Sequence, residues 1–548
     1  MTQKISGIYV PHSGSLTSKL WFIGEAPGET EERGTKENGF KPEPFIGASG
    51  QLLRETLLRN GISPLDCYFT NLSHYRPQNN AFDLLINSDE LTNGIQEILL
   101  NIEHYKPNLI VLVGRNPLNF LIPSKDVIAH WRGSILELKG IKCIPILHPA
   151  GLLHNEDPIL YPIFDKDIQR IAKESKFPEL NIPELNIHID PGLECLDVLL
   201  SKPILSCDIE SLMDSTTIIC VGFGISPTEA YVIPYDSPYS RTVLASILSA
   251  KEPKKVFHNG SFDTAILSLN GFRCEGYTDD TIIQSHILDP EFPRNLGFLT
   301  SIYTRIPYYK TEGRSHIPSD TKVWSQKRSR EELYIYNGRD CCATFDIYET
   351  LKSEIISDGL SNFYAYEMQV NEMLCELSQN GLLVDLERLN LIRVGAEKQR
   401  SEAQAILNLI SGQDINAQGK KTLPDFLYRT LNLPIKKKYD RKKKVSKETT
   451  EQKAIVQLIG YAKARIEEYK TSKKKEEWEK NLLILGLILK VREKAKLISS
   501  YLDITLHEGR AKSSFRTDGT ETGRCSAKKF VDGSGLNLMT IPRGKVEV

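Results

Sequence analysis

The segment PILSCDIE (203–210) is apolar until its end, where Asp208 and Glu210 stand two residues apart, and TIICVGFGI (217–225) and YVIP (231–234) follow it. Alternate residues of a strand leave the same face, so both carboxylates project together and their oxygens can share a hard cation. Strands first and helical patterns afterwards, to about Lys352, predict an α/β or α+β domain around a mixed sheet. Farther along, HNGSFDTAIL sets Asn259 and Asp263 four apart at the start of a helix, and ELYIYNGRDCCATFDIY sets Tyr336 and Asp340 four apart on a later one. Four residues is one helical turn, so each pair occupies one face. Any single pair is more often core packing or a surface ion pair. All three in this order, within about 130 residues, form a constellation.

On the N-terminal side, LWFIG (20–24), CYFTN (67–71), LIVLVG (109–114) and CIPIL (143–147) alternate with amphipathic stretches such as GQLLRETLLRNG (50–61) and LTNGIQEILLNIEHY (91–105). Strands separated by helices predict a parallel sheet covered on both faces. A polar stretch with three prolines, 178–192, reads as a connector. On the C-terminal side, 354–548 is almost all helix former, and KARIEEYKTSKKKEEWEK (463–480) predicts long exposed helices.

The chain has 548 residues, too many for one compact domain, and 40% hydrophobic with 25% charged residues excludes disordered and fibrous classes. The longest apolar run, Leu482–Leu489, is far short of the ~18 residues of a membrane span. No basic start leads into an apolar core, so no signal peptide is expected. Ten cysteines without a CxxC pair suggest neither a disulfide framework nor a zinc knuckle, and fit a reduced, cytoplasmic protein. The net charge of −1 hides an asymmetry: 420–500 holds 23 Lys and Arg against 10 Asp and Glu. Its densest run, KKKYDRKKKVSK (436–447), points to a polyanion, with a solvated loop as the plainer reading.

On the residues quoted, the middle region resembles the proofreading 3′→5′ exonucleases of the DEDD superfamily, in the variant with tyrosine in the third motif. Asp208 and Glu210 match the first motif, Asp263 the second, and Tyr336 with Asp340 the third. DDTIIQSHILDPE (279–291) is similar to the segment between the second and third motifs of family A polymerases. The resemblance implies a ribonuclease-H-like domain over 193–353 and two Mg2+ or Mn2+ ions. Asp208, Glu210 and Asp340 would surround one ion, Asp208 would bridge to the other, and Asp263 would act through water. Tyr336 would orient the attacking water rather than take its proton.

EMQVNEMLCELSQNGLLVDLERL (367–389) resembles the opening of the family A polymerase portion, and FRTDGTETGRCSAKKFVDGSGLNLMTIPRG (515–544) its TGR…PNLQNIP segment along the primer–template duplex. Cys525 stands where leucine is usual, and Leu538-Met539-Thr540 replace Leu-Gln-Asn. The resemblance implies a thumb-like region over 354–548 in which Lys436, Lys437, Lys438, Arg441, Lys442, Lys443, Lys444 and Arg524 bind phosphates by charge. The sequence given stops at Val548, before the palm and fingers motifs of that family, so polymerisation is expected only if the missing part is supplied, a second polypeptide being one source and an interrupted gene another explanation.

GEAPGETEE (24–32), PFIGASGQLL (44–53), YFTNLSHYRP (68–77), LIVLVG (109–114), RG (132–133) and ILHPAGLL (146–153) are, in this order, similar to the family 4-type uracil-DNA glycosylases. That resemblance implies an α/β glycosylase-like domain over 1–177. Glu25 would position water, Phe45 would stack on the base, Asn71 would read the uracil edge, and His148 would steady charge building on the base. Tyr75 stands where a cysteine of the family's iron–sulfur cluster is expected, and no cysteine precedes Cys67, so no such cluster is expected. His154-Asn155 stand in place of an arginine after HPAGLL.

The leading expectation is an α/β multidomain DNA replication protein of the bacteriophage family A kind, carrying an active proofreading exonuclease. It would act on single-stranded 3′ ends and primer–template duplex, with no membrane partner, in the cytoplasm (of the host if viral). The rivals are a stand-alone repair factor that excises uracil and trims 3′ ends, and a non-catalytic DNA-binding accessory subunit.

Overall fold

The computed structural model describes residues 7–123, 127–155, 157–212, 216–310, 330–440, 445–469 and 473–541. They divide into two compact units, one of 1–375 with 516–525 and one of 376–515 with 526–548.

The first unit begins with a five-stranded sheet: β1 (Leu20–Gly24), β2 (Cys67–Asn71), β3 (Leu109–Val113), β4 (Leu136–Leu138) and β5 (Ile141–Ile146), in the order β2-β1-β3-β5-β4. All pairings are parallel except β4 with β5. Both faces are covered, which is why the strands read as continuous apolar runs rather than alternating ones. Leu20 and Phe22 pack on one side with Leu53, Leu57, Phe164 and Ile168 from the helices Ala48–Arg59 and Leu160–Glu174. Trp21 and Ile23 pack on the other with Leu91, Ile98 and Ile102 from the helix Asp89–Tyr105. That helix starts where the Ser88 side chain accepts from the Leu91 amide (3.1 Å), satisfying a donor its first turn leaves open.

The same unit continues with six strands: β6 (Asn186–Ile189), β7 (Ile204–Ser211), β8 (Ile218–Ser226), β9 (Glu229–Pro234), β10 (Lys254–Phe257) and β11 (Tyr277–Asp280). Their order is β11-β10-β7-β8-β9-β6. β7, β8 and β9 form an antiparallel meander, and β10, β11 and β6 join in parallel, so the sheet is mixed as expected. The long helix Arg330–Ser357 lies across this sheet, burying Leu333, Cys341 and Ala343. Its close approach depends on Gly222 in β8. A methyl there would lie 2.3 Å from Asn337 Oδ1 and 2.6 Å from Cys341 Sγ.

The stretch 178–192, read as connector, contains β6, a four-residue edge strand parallel to β9. It is half exposed and too short to show an alternation. The region expected from residue 354 to be thumb-like overlaps the first unit, which runs to Cys375. The helix Arg330–Ser357 runs through that position, and Tyr364 Oη bonds Asp279 and the Asp280 amide (3.0 Å each) while Asn371 donates to Tyr277 Oη (3.1 Å). These bonds fasten 361–375 to the exonuclease-like sheet.

The second unit is mostly helical, as expected. Leu386–Ser411, Gln452–Glu468 and Lys473–Leu497 enclose a core that includes Leu407, Leu427, Ile455, Leu458, Ile484 and Ile488. The first of these helices is N-capped by Asp385, which accepts from the Arg388 amide (3.0 Å), and closes at Gly412 in the left-handed region. Within the basic run, Lys437–Asp440 pairs antiparallel with Val445–Glu448.

Candidate functional site

Asp208 and Glu210 occupy the end of β7, and Glu210 precedes a register shift against β8 at Glu210/Ser211. Such irregularities re-aim side chains where a ladder ends. Asp340 comes from the helix laid over the sheet. One oxygen from each of Asp208, Glu210 and Asp340 lies within 4.8 Å of the others. These are the first- and third-motif carboxylates expected from the sequence. Asp263, on the helix Gly260–Leu269, is buried as well, but it is not one of this close trio.

Crowded, buried carboxylates resist ionisation. Burial, and then the Asp340 charge, push the Asp208 carboxyl up to about 8. Burial and the Asp208 charge raise Glu210 and Asp263 well above the carboxylate range. A trio of hard oxygen donors that repel one another fits divalent cations, whose charge would relieve that repulsion. Tyr336 is also pushed far up, by burial and then by Asp340, so its phenol keeps its proton.

Four residues that sequence reasoning did not single out complete this centre. Asn337 donates to Asp208 Oδ2 (2.8 Å) and sits between the two third-motif residues, where a buried polar side chain on an apolar helix face was the available signal. Asp280 is buried and accepts from the amides of Asn259 (3.0 Å), Gly260 (2.8 Å) and Ile282 (2.8 Å), clamping the start of the helix that carries Asp263. Asn259 itself is in the left-handed region (φ 70°), just ahead of that helix. Tyr309 donates to Asp340 Oδ1 (2.5 Å), and Lys310 donates to Tyr336 Oη (2.9 Å) and to Asp340 Oδ2. They come from a segment without periodicity, so only tertiary contact reveals them.

The second constellation lies at the carboxyl ends of β1, β2 and β3. Gly24 is a point of convergence: a methyl there would fall 2.3 Å from the Asn71 amide oxygen and 2.7 Å from the Phe45 ring. Gly114 is another (φ 98°), where a methyl would approach Glu25 Oε1 at 3.0 Å and His148 Cβ at 3.1 Å. The chain therefore brings Glu25, Phe45, Asn71 and His148 around two glycines at the sheet edge. Phe45 is itself in the left-handed region (φ 58°) and nearly buried, its amide held by Glu31 and its carbonyl by Arg54 Nε (2.9 Å). Burial lowers the pKa of His148 against an opposing pull from Glu25. His148 Nδ1 accepts from the Ala150 amide (3.2 Å), which assigns the ring proton to Nε2. At the position of the expected cluster cysteine, Tyr75 packs edge-on against Tyr9 (5.7 Å), and His74 lies 4.9 Å from the same ring.

Of the phosphate-binding candidates, Lys437 and Lys438 are exposed on the strand Lys437–Asp440, where Lys438 pairs with Glu451 (2.7 Å), and Lys436 just before it is half-buried. Arg441, Lys442, Lys443 and Lys444 lie outside the described residues. Arg524 falls in the first unit, not in the helical one: the 516–525 segment is held by Arg294, which donates to the Asp518 carbonyl (2.8 Å), and by His286, 3.0 Å from the Thr520 carbonyl.

Residues 11–171 match the uracil DNA glycosylase superfamily, and residues 194–356 match a 3′-5′ exonuclease family. The chain is 32% identical to the type-4 uracil-DNA glycosylase of Archaeoglobus fulgidus over 30% of its own length and 81% of the relative's. It is 35% identical to the type-4 enzyme of Thermotoga maritima over 29% of its length and 78% of the relative's. To the DNA polymerase of Bacillus phage SP01 it is 24% identical over 71% of its length, spanning 46% of that protein. Among the described residues no helix is long and apolar enough to cross a membrane. The chain belongs to the uracil-DNA glycosylase superfamily through its N-terminal domain, and its second domain matches a 3′-5′ exonuclease family.

Proposed function

We propose that this chain removes nucleotides from DNA 3′ ends by hydrolysis at Asp208, Glu210, Asp263 and Asp340, as the proofreading part of a replication polymerase. The observation that carries the reading is the trio of carboxylates, Glu210 and Asp340 buried and Asp208 half-buried, whose oxygens lie within 4.8 Å of one another. Two divalent ions, Mg2+ or Mn2+, would supply charge stabilisation for the attacking and leaving oxygens of the scissile phosphate. Asp208, Glu210 and Asp340 would hold the first, Asp208 would reach the second, and Asp263 would contribute through water. Tyr336, locked in its protonated form, orients the attacking water and does not take its proton. Asn337 holds Asp208 in the orientation this requires. The substrate is a single-stranded 3′ end, delivered from a duplex held by the lysines of the second unit, in the cytoplasm. A polypeptide carrying palm and fingers would be the partner for synthesis. The test is digestion of a 3′-labelled single strand in Mg2+: Asp208→Ala should abolish it and Tyr336→Phe should slow it. Digestion at the wild-type rate by Asp208→Ala would refute the assignment.

A second reading concerns the head and rests on the convergence of Glu25, Phe45, Asn71 and His148 about Gly24 and Gly114. We infer weak excision of uracil from a flipped nucleotide, with Asn71 reading the base edge and neutral His148 donating from Nε2 to the oxygen that gains charge. It would proceed without an iron–sulfur cluster, the Tyr9–His74–Tyr75 packing supporting that corner instead. Alkali-labile sites formed on a uracil-bearing strand in the Asp208→Ala background would support this reading, and their absence would leave the head a docking domain.

A further inference from the structure

Between the glycosylase-like head and the exonuclease runs a three-residue segment, Tyr308-Tyr309-Lys310, in which each side chain has a different destination. Tyr308 turns to the head. Its ring stacks on His130 (5.3 Å, 10°) and meets Trp131 edge-on (5.4 Å), and its amide donates to Ser134 Oγ (3.3 Å). Tyr309 turns to the exonuclease, buried, with its hydroxyl on Asp340 Oδ1 (2.5 Å). Lys310 reaches Tyr336 Oη (2.9 Å) and the other Asp340 oxygen, its ammonium lying 4.6 Å from the centre of the Tyr336 ring. Both oxygens of one expected metal ligand, and the phenol beside it, are thus held by two consecutive residues. The residue before those two is fixed to another domain.

The support under this segment is rigid. It lies directly on the helix Leu296–Tyr303, where a methyl at Gly297 would come within 2.7 Å of the Tyr308 ring and 3.0 Å of Lys310 Cγ. The head grips the far end of that helix. Arg170 donates to the carbonyls of Ser301 (2.6 Å), Ile302 (2.9 Å) and Thr304, satisfying acceptors that a helix end leaves open. Arg132 forks onto Asp167 (Nε–Oδ2 2.7 Å), both buried, and reaches Ser301 Oγ (3.4 Å). A paired, desolvated Arg–Asp fork keeps one geometry, because any displacement would strand a charge away from water. Pro307 fixes its own φ just ahead of Tyr308. The strap is therefore anchored on head and helix at once and has little room to move independently of either.

We propose that the head sets the exonuclease centre through this strap, with Tyr309 and Lys310 as positioning residues that aim Asp340 and Tyr336, and Tyr308 as their anchor on the head. Carboxylate ligands held by hydrogen bonds in the surrounding layer bind metal in one orientation, and loss of such a bond typically costs tenfold or more in affinity. Lys310 donates to a Tyr336 lone pair, which restricts the directions in which the phenol can donate to water. The inference rests on the exonuclease reading, and the controls below separate the two.

The test uses the full chain and Mn2+ alone, with free Mn2+ counted by electron paramagnetic resonance, and then kcat and KM on a single strand in Mg2+. Tyr309→Phe, which keeps shape and charge, should weaken Mn2+ binding about tenfold and lower kcat with KM unchanged. The head variant His130→Ala/Ser134→Ala, remote from the carboxylates, should shift both readouts in the same direction, on the order of 2- to 30-fold. Tyr308→Ala, which removes the ring stack on His130 and Trp131, should shift both readouts in the same direction as the head variant. If Tyr309→Phe or the head variant stays within about twofold of wild type in Mn2+ affinity and kcat, the strap is only packing and the proposal is wrong. Asp208→Ala must abolish Mn2+ binding and digestion. If it does not, the exonuclease reading itself fails, whereas a silent Tyr309→Phe beside a dead Asp208→Ala overturns the strap alone.

Discussion

Replacing Asp280 by alanine removes an acceptor that no other group can supply. Its carboxylate is 1% exposed and takes three backbone amides, from Asn259, Gly260 and Ile282, together with the Tyr277 hydroxyl. Stranding a buried donor costs about 1–3 kcal/mol, so three amides near the lower end of that range amount to about 4 kcal/mol. The penalty depends on pH. Burial holds the Asp280 carboxyl up at about 6 against an ordinary 3.8, so the folded state binds the extra proton. A raised carboxyl contributes stability below its unfolded pKa and loses that contribution as pH rises through the folded one. That shift of about 2 is worth about 3 kcal/mol. Asp280→Ala should therefore cost about 4 kcal/mol near pH 4 but only about 1 kcal/mol near pH 7.5. Hydrogen exchange read by mass spectrometry on peptides from 257–289, corrected for intrinsic rates, reports this local opening. Protection should fall by about three decades at the lower pH and about one at the higher, with exonuclease activity down by roughly 10- to 100-fold as Asp263 shifts. A drop of less than about tenfold near pH 4, or a loss that grows with pH, would refute the reasoning.

Gly222→Ala should drive the helix Arg330–Ser357 off the sheet through Asn337 and Cys341, destabilising the unit by about 1–3 kcal/mol on thermal unfolding and removing digestion. Replacing Lys442, Lys443 and Lys444 should weaken duplex binding equally for all sequences. It should also flatten the plot of log affinity against log salt by up to about 3, and an unchanged slope would return the run to the plainer reading of a solvated segment. In the Asp208→Ala background, Gly24→Ala should abolish any uracil excision, because its methyl would fall 2.3 Å from the Asn71 amide. The same Gly24→Ala change in the otherwise unaltered chain should leave 3′ digestion as it was.

Much of the exonuclease was legible along the chain because its signals are local. Asp208 and Glu210 share a strand face and Tyr336 and Asp340 a helix face, and those periodicities exist before any tertiary contact forms. The head's strands were equally plain, since a parallel sheet covered on both faces needs unbroken apolar runs. The edge strand β6 was not, because four half-exposed residues acquire strand character only from the neighbour they pair with.

The sequence alone determined the residue types and their spacing on each element: carboxylates on one strand face and one helix face of the middle domain, glutamate, phenylalanine, asparagine and histidine among the strand ends of the head, and a basic run in the C-terminal region. Tertiary structure alone decided which of those groups meet. Tyr309 and Lys310 lie roughly thirty residues from Asp340 along the chain and meet it only in the folded unit. Asp280 is one acidic residue among many until the fold buries it beneath three amides. Periodicity records which face of an element is apolar. Which distant carboxylate a buried donor will find is set by how the elements pack, and packing is a property of the whole unit rather than of any window of its sequence.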